Sequence, residues 1–149
     1  MEEGTDLIYT LRSRGLQVTY QRLAIYEALY HTTEHPSAET IHCEVKRRFP
    51  MISLGTVYKT LERFCEVGLV RKVGAVTESA RYDANVEPHH HLFCVKCESL
   101  QDVPASASIS EIPLPENEGF RILRRELVFE GHCASCAKGN GHGGRQEDP

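Results

Sequence analysis

Ser53-Leu54-Gly55-Thr56-Val57-Tyr58-Lys59-Thr60-Leu61-Glu62-Arg63-Phe64-Cys65-Glu66-Val67-Gly68-Leu69-Val70-Arg71-Lys72-Val73 reads as a capped helix, a glycine stop and a β-type run in one unbroken stretch. Ser53 supplies the side-chain acceptor that a helix N-terminus needs. Val57, Leu61, Phe64 and Cys65 recur at the three- and four-residue intervals of one helical face, and Gly68 offers a left-handed C-cap. Residues 69–73 and 81–84 then read as two strands, separated by a segment containing Gly74. Working backward, Ser37 caps a helix with Ile41, Val45 and Phe49 on one face, ended by Pro50, which has no N–H to donate. Thr19 caps another that bears Leu23, Ile25, Tyr26 and Leu29, and residues 5–14 form a first helix that stops at Gly15. Successive helices followed by a two-stranded hairpin give the order of a winged helix-turn-helix.

In such a unit the second helix of the motif enters the DNA major groove. Ser53, Thr56, Tyr58 and Lys59 face outward on it, with side chains suited to phosphates and base edges. Taken alone this is an ordinary amphipathic helix; the hairpin and the local charge tip the reading toward DNA. The chain of 149 residues has a formal net charge of −4, but residues 46–72 hold seven basic side chains (Lys46, Arg47, Arg48, Lys59, Arg63, Arg71, Lys72) against Glu62 and Glu66. Phosphate neutralisation is local, so this window can serve an acidic chain. No apolar run approaches the roughly 20 residues of a membrane span, and the acidic start Met1-Glu2-Glu3-Gly4 lacks the features of a signal peptide. A cytoplasmic protein with no membrane partner is expected.

The composition changes at Asn85-Val86-Glu87-Pro88. Residues 1–84 are expected to form the winged-helix domain, 85–88 a hinge, 89–137 a second domain, and 138–149 a disordered tail too poor in apolar residues to pack. The second domain reads as strands over 89–95, 100–103 and 120–130, with a short helix at most over 106–112. The fold class is therefore α+β.

Six cysteines in a cytoplasmic chain argue for metal or redox chemistry rather than a disulfide framework. Cys94/Cys97 and Cys133/Cys136 are two Cys-x-x-Cys pairs. Each pair can bring two thiolates onto one ion, and two pairs close a tetrahedron with no open position, the mark of structural zinc. The alternatives are an iron–sulfur cluster or a thioredoxin-like redox pair; the redox pair would need a βαβ setting, which is missing from the pattern. Cys43 and Cys65 read as small buried hydrophobes.

His89-His90-His91 precedes the first pair. On a strand His89 and His91 share a face and His90 points away. Two imidazoles are too few for a site. His35, Asp83 and Asp102 are candidates to complete a mixed nitrogen and oxygen set suited to Fe(II), Mn(II) or Zn(II), which would staple the two halves together. Spacing leaves open the alternative that each histidine is a surface or core group.

Over nearly its whole length the chain resembles the ferric uptake regulator family of bacterial metal-dependent repressors. The resemblance is carried by Thr19-Tyr20-Gln21-Arg22, Ser53-Leu54-Gly55-Thr56-Val57-Tyr58-Lys59-Thr60-Leu61, Gly68-Leu69-Val70, Arg81-Tyr82-Asp83, His89-His90-His91-Leu92-Phe93-Cys94-Val95-Lys96-Cys97 and Gly131-His132-Cys133-Ala134-Ser135-Cys136. It implies a homodimer joined through a small α/β dimerisation domain with a zinc knuckle, and binding to palindromic double-stranded operators through residues that include Arg22. Cys94, Cys97, Cys133 and Cys136 match the structural zinc site; His35, Asp83, His89, His91 and Asp102 match the regulatory site.

Asp rather than Glu at position 102 resembles the peroxide-responsive members, in which ligand histidines matching His35 and His89 are oxidised. Such a protein is a self-consuming sensor rather than an enzyme, and needs no organic cofactor. An iron- or zinc-responsive uptake regulator is the alternative within the family. A redox enzyme or a metal-storage protein is disfavoured by the helix-hairpin order and the basic window. Two departures stand out. Pro88 and Arg125 occupy positions of a further metal site in some iron regulators, so that site is expected to be missing. Residues 110–117, with Pro113 and Pro115, replace the helix that usually precedes the last strand.

Overall fold

The computed structural model of the chain describes residues 2–73, 79–105 and 119–139. It divides into two units, Met1–Val86 and Glu87–Pro149. In the first, three hydroxyl side chains set where helices begin. Thr19 accepts from the N–H of Arg22 at the start of α2 (Tyr20–Tyr30), Ser37 from Thr40 at α3 (Ala38–Lys46), and Ser53 from Thr56 at α4 (Leu54–Glu66). Each bond satisfies a first-turn N–H that has no partner inside the helix. Helix α1 (Glu2–Ser13) begins a turn earlier than its apolar spacing suggests. It closes at Gly15 (φ +71°), where Leu16 N reaches Leu11 O at 3.1 Å; Gly68 (φ +68°) ends α4 the same way, with Leu69 N on Phe64 O at 2.9 Å.

The helices meet in one core. Leu11, Ile25, Ile41, Val57, Leu61 and Phe64 are all fully buried, and the Tyr26 ring stands edge-on to Phe64 at 5.8 Å between centroids. Strands β1 (Arg71–Val73) and β2 (Arg81–Asp83) form an antiparallel hairpin with Arg71 opposite Asp83. The hairpin is tied to the start of α3 by Tyr82 N on Pro36 O (3.1 Å) and by a bridge between Ser37 and Arg81. This is a winged helix-turn-helix.

The second unit is built on β3 (His89–Cys94), which pairs antiparallel with β4 (Leu100–Pro104) and parallel with β5 (Val128–Gly131). A single helical turn, α5 (Ala134–Ala137), follows. The strand expected over 120–130 is thus confined to its last residues. In the observed register His91 faces Val128, so continuing backward sets Arg125 beside Pro88, before β3 begins and without an N–H to offer. Among the described residues, 120–126 pair with no strand, and Leu127 joins the β3 backbone only through its carbonyl, which accepts from His91 N at 3.0 Å.

The short helix considered for 106–112, the substituted segment 110–117 and the tail beyond Gly139 lie outside the described residues. No described helix is long and apolar enough to cross a membrane. Replacing the ring at the centre of the helical core, Phe64→Ala, is expected to lower stability by about 3–5 kcal/mol. A urea-unfolding midpoint equal to that of the unaltered protein would contradict this placement.

Candidate metal centres and nucleic-acid face

Strand β3, the central one, delivers Cys94 at its end, and the chain folds back at once. Cys94 N bonds Ser99 O (3.0 Å), Glu98 N bonds Cys94 O (2.8 Å), and Glu98 takes a left-handed φ of +58° to close the knuckle. The second knuckle arrives on β5, fastened by Val95 N on Gly131 O at 2.9 Å, and Cys133 opens α5. The four Sγ atoms lie within 4.8 Å of one another, with Cys97 and Cys133 at 3.8 Å. Tetrahedral thiolates around zinc stand about 3.8 Å apart for a bond of about 2.3 Å, so the set fits the ion.

The N–H of Cys133 donates to Cys94 Sγ at 3.3 Å. That bond, helped by the N–H groups of Cys97 and Lys96, holds the Cys94 thiol down to about 6. Cys136 is pushed up to about 12, first by burial and then by its neighbouring thiols. Four thiolates in one place need a cation between them, and zinc supplies that charge without redox chemistry. Both pairs belong to one cluster, so neither stands alone as a redox dithiol.

The histidine run separates as the strand pleat requires. His89 Nε2 and His91 Nε2 lie 3.1 Å apart, and each is 3.5 Å from Oδ1 of Asp102, directly opposite His91 on β4. On their other edges, His89 Nδ1 meets the carbonyl of Glu87 at 2.8 Å and His91 Nδ1 meets Oε1 of Glu126 at 2.9 Å. A carbonyl only accepts, which places the His89 ring proton on Nδ1 and turns its Nε2 lone pair to Asp102; the negative charge of Glu126 beside His91 Nδ1 favours the same tautomer there. Three electron-rich atoms converge on one point, an arrangement that a divalent cation satisfies. His90 turns away, and its Nδ1 accepts from Leu127 N at 3.2 Å.

In the N-terminal unit a second pair forms. His35 Nε2 lies 3.6 Å from Asp83 Oδ2, while Asp83 Oδ1 accepts from Asn85 N at 2.7 Å. His35 has φ +52° immediately before Pro36. A left-handed histidine costs about 1–3 kcal/mol, strain that persists where surrounding structure imposes it and that clusters at functional sites.

On the helical side Arg22, Thr56 and Lys59 line one polar depression together with Gln17, Thr19, Gln21 and Thr60. The Ser53 hydroxyl is engaged in capping and bonds Thr56 Oγ1 at 2.9 Å. Tyr58 leans to α3, where its hydroxyl donates to Glu39 at 2.6 Å; this bond is the main reason the Glu39 carboxyl lies below its ordinary value.

The basic window is weaker than its count. Arg48 pairs with Glu27 (2.6 Å), Arg63 with Glu66 (2.8 Å), and Arg71 reaches Asn85 O (2.7 Å) and Asp83 (4.0 Å), leaving exposed Lys46, Arg47, Lys59 and Lys72 as the stronger candidates for phosphate. Cys43 is exposed rather than buried, and Cys65 is half-buried. Gln17, Gln21 and Glu126 were given no role by sequence reasoning: Gln21 stands in the stretch 19–22 and Glu126 in the alternating run, but neither pattern points to a contact.

The profile of the ferric uptake regulator family matches residues 13–129. The peroxide operon regulator of Bacillus subtilis (strain 168) is 31% identical over 142 residues, covering 94% of this chain and 97% of that protein. Ferric uptake regulation protein 1 of Mycolicibacterium fortuitum is 35% identical over 133 residues, covering 87% of this chain and 81% of that protein. The crystal structure of the Campylobacter jejuni peroxide stress regulator superposes with a TM-score of 0.61 at 27% identity, covering 76% of this chain and 86% of that one. The chain belongs to the ferric uptake regulator family.

Cys94→Ser is expected to release the zinc and to unfold or monomerise the C-terminal unit, because binding a structural metal is itself folding free energy. Zinc content together with sedimentation tests this; a folded dimer without zinc would rule out the structural role.

Proposed function

We propose that this chain is a metal-dependent transcriptional repressor of the cytoplasm that binds palindromic operators as a homodimer and responds to peroxide. Residues 1–84 act as the DNA-binding domain and 89–137 as the dimerisation and metal-binding domain. The observation that carries this reading is the triad of His89, His91 and Asp102, whose ligand atoms lie within 4.8 Å of one another. Three ligands do not complete a site for Fe(II) or Mn(II), and the His35–Asp83 pair supplies two more of the same chemistry. A shared ion would fix the orientation of the two units, giving DNA binding a metal-dependent state. Zinc in the four-cysteine cluster is structural. Arg22, Ser53, Thr56, Tyr58 and Lys59 face the operator, with Ser53 acting mainly by capping the helix that carries the others.

Peroxide sensitivity is supported by the short carboxylate of Asp102, by the Bacillus subtilis relative described as a peroxide operon regulator, and by the Campylobacter jejuni peroxide stress regulator. Bound Fe(II) would supply the electron that reduces peroxide next to the imidazoles. His35 and His89 are the groups that take up oxygen; an oxidised ring is a poorer ligand, and the operator is released. An iron- or zinc-responsive uptake regulator is the second reading, favoured by the Mycolicibacterium fortuitum relative described as a ferric uptake regulation protein.

The two readings separate on operator binding by Fe(II)- and Mn(II)-loaded protein before and after low peroxide, with mass spectrometry of tryptic peptides. The sensor reading expects loss of binding in the Fe(II) form alone, with one added oxygen at His35 or His89. Retained affinity and unmodified histidines would defeat it. Asp102→Glu is expected to keep metal-dependent DNA binding and to blunt the response to peroxide; an equal response in that variant removes the argument from Asp102.

A further inference from the structure

The two imidazoles of the triad are held from behind in different ways. His89 Nδ1 donates to a neutral backbone carbonyl, that of Glu87, at 2.8 Å. His91 Nδ1 faces a carboxylate, Oε1 of Glu126, at 2.9 Å, an ion-pair contact without the alignment of a hydrogen bond. The Glu126 side chain is 18% exposed, and its other oxygen is 2.6 Å from the Arg124 guanidinium. The backbone next to it is pinned to β3 through both polar groups of one residue: Leu127 O accepts from His91 N at 3.0 Å, and Leu127 N donates to His90 Nδ1 at 3.2 Å. The carboxylate therefore sits at a fixed place behind a buried ring, although residue 126 belongs to no strand.

We propose that Glu126 is a positioning residue for the metal triad: its carboxylate, 2.9 Å from His91 Nδ1, draws the ring proton to that nitrogen, aims Nε2 at the ion and strengthens it as a donor. Arg124 holds the second oxygen and keeps the carboxylate from turning toward the ion itself. The inference rests on the reading of His89, His91 and Asp102 as ligands. Partners behind a metal-bound histidine are commonly worth about 10–100-fold in metal affinity, and a carboxylate polarises the ring more than a carbonyl does. His91 is then the better donor of the two histidines.

The test titrates the zinc-loaded full-length chain with Mn(II), following free Mn(II) by its paramagnetic resonance, and uses Co(II) absorption to report the ligand set. Glu126→Ala is expected to weaken Mn(II) by about 10–100-fold while zinc content and the Co(II) band pattern stay those of the unaltered protein. Glu126→Gln keeps an acceptor for Nδ1–H without the charge and is expected to fall between the two. Unchanged affinity in Glu126→Ala overturns the proposal. So does a Glu126→Gln variant as weak as Glu126→Ala with an altered Co(II) spectrum, since Glu126 would then be a ligand. If Glu126→Ala loses its zinc or does not fold, Glu126→Gln decides, and unchanged Mn(II) affinity there also overturns the role. His91→Ala separates the two levels. Full-strength Mn(II) binding in that variant ends the triad reading itself, whereas its loss beside an unaffected Glu126→Ala ends only the positioning role.

Discussion

Strand β3 is paired on both sides, and its two-residue pleat decides what each neighbouring side chain can do. His89 and His91 go to one face and His90 to the other, so a run of three histidines becomes two convergent imidazoles and one acceptor for a backbone N–H. The antiparallel register with β4 sets Asp102 directly across from His91. The parallel register with β5 brings Leu127 and its neighbour Glu126 up behind the same ring. At its far end the strand presents Cys94 to the second knuckle. A slip of one residue would turn His89 and His91 away from Asp102, and the four-cysteine cluster at the strand's end pins the register against it.

What could be read in the chain beforehand was what depends on near neighbours in sequence. The caps at Thr19, Ser37 and Ser53 and the stops at Gly15 and Gly68 need only a few residues to form, and each falls where its local chemistry places it. The pairing of His89 with His91 follows from strand period alone. Features that depend on distant partners were not legible. The alternation over 120–130 satisfies a strand pattern, yet β3 offers no residues to pair with its first part. Glu126 meets His91 only because β5 lies parallel to β3, and no spacing encodes that. Cys43 faces solvent because Ile41 and Val45 define the buried face of α3, and a residue midway between them lies on the opposite side.

Charge shows the same limit. Seven cations clustered over 46–72 suggest a strongly attractive face for DNA, but ion pairs to α2, within α4 and within the hairpin engage Arg48, Arg63 and Arg71 respectively. Tyr58, on the helix expected to meet the groove, is bonded to an acid on α3. The surface that remains is a mixed one, in which glutamines and threonines share the depression with Arg22 and Lys59. Such a surface gives salt-dependent attraction from few cations and leaves more of the discrimination to polar side chains and to shape.

His35 occupies a joint. Its carbonyl accepts from the Arg81 guanidinium at 3.5 Å, the next residue, Pro36, holds the wing through Tyr82 N, and the residue after that, Ser37, both caps α3 and bridges to Arg81. Wing and helix are thus pinned to three consecutive residues whose first member already bears an unfavourable φ. Mechanically this is a short lever with its fulcrum at the prolyl ring. A chemical event at the imidazole that lets the backbone relax would act on the hairpin and the start of α3 together, and through Tyr82 and Ala38 on the core beneath them.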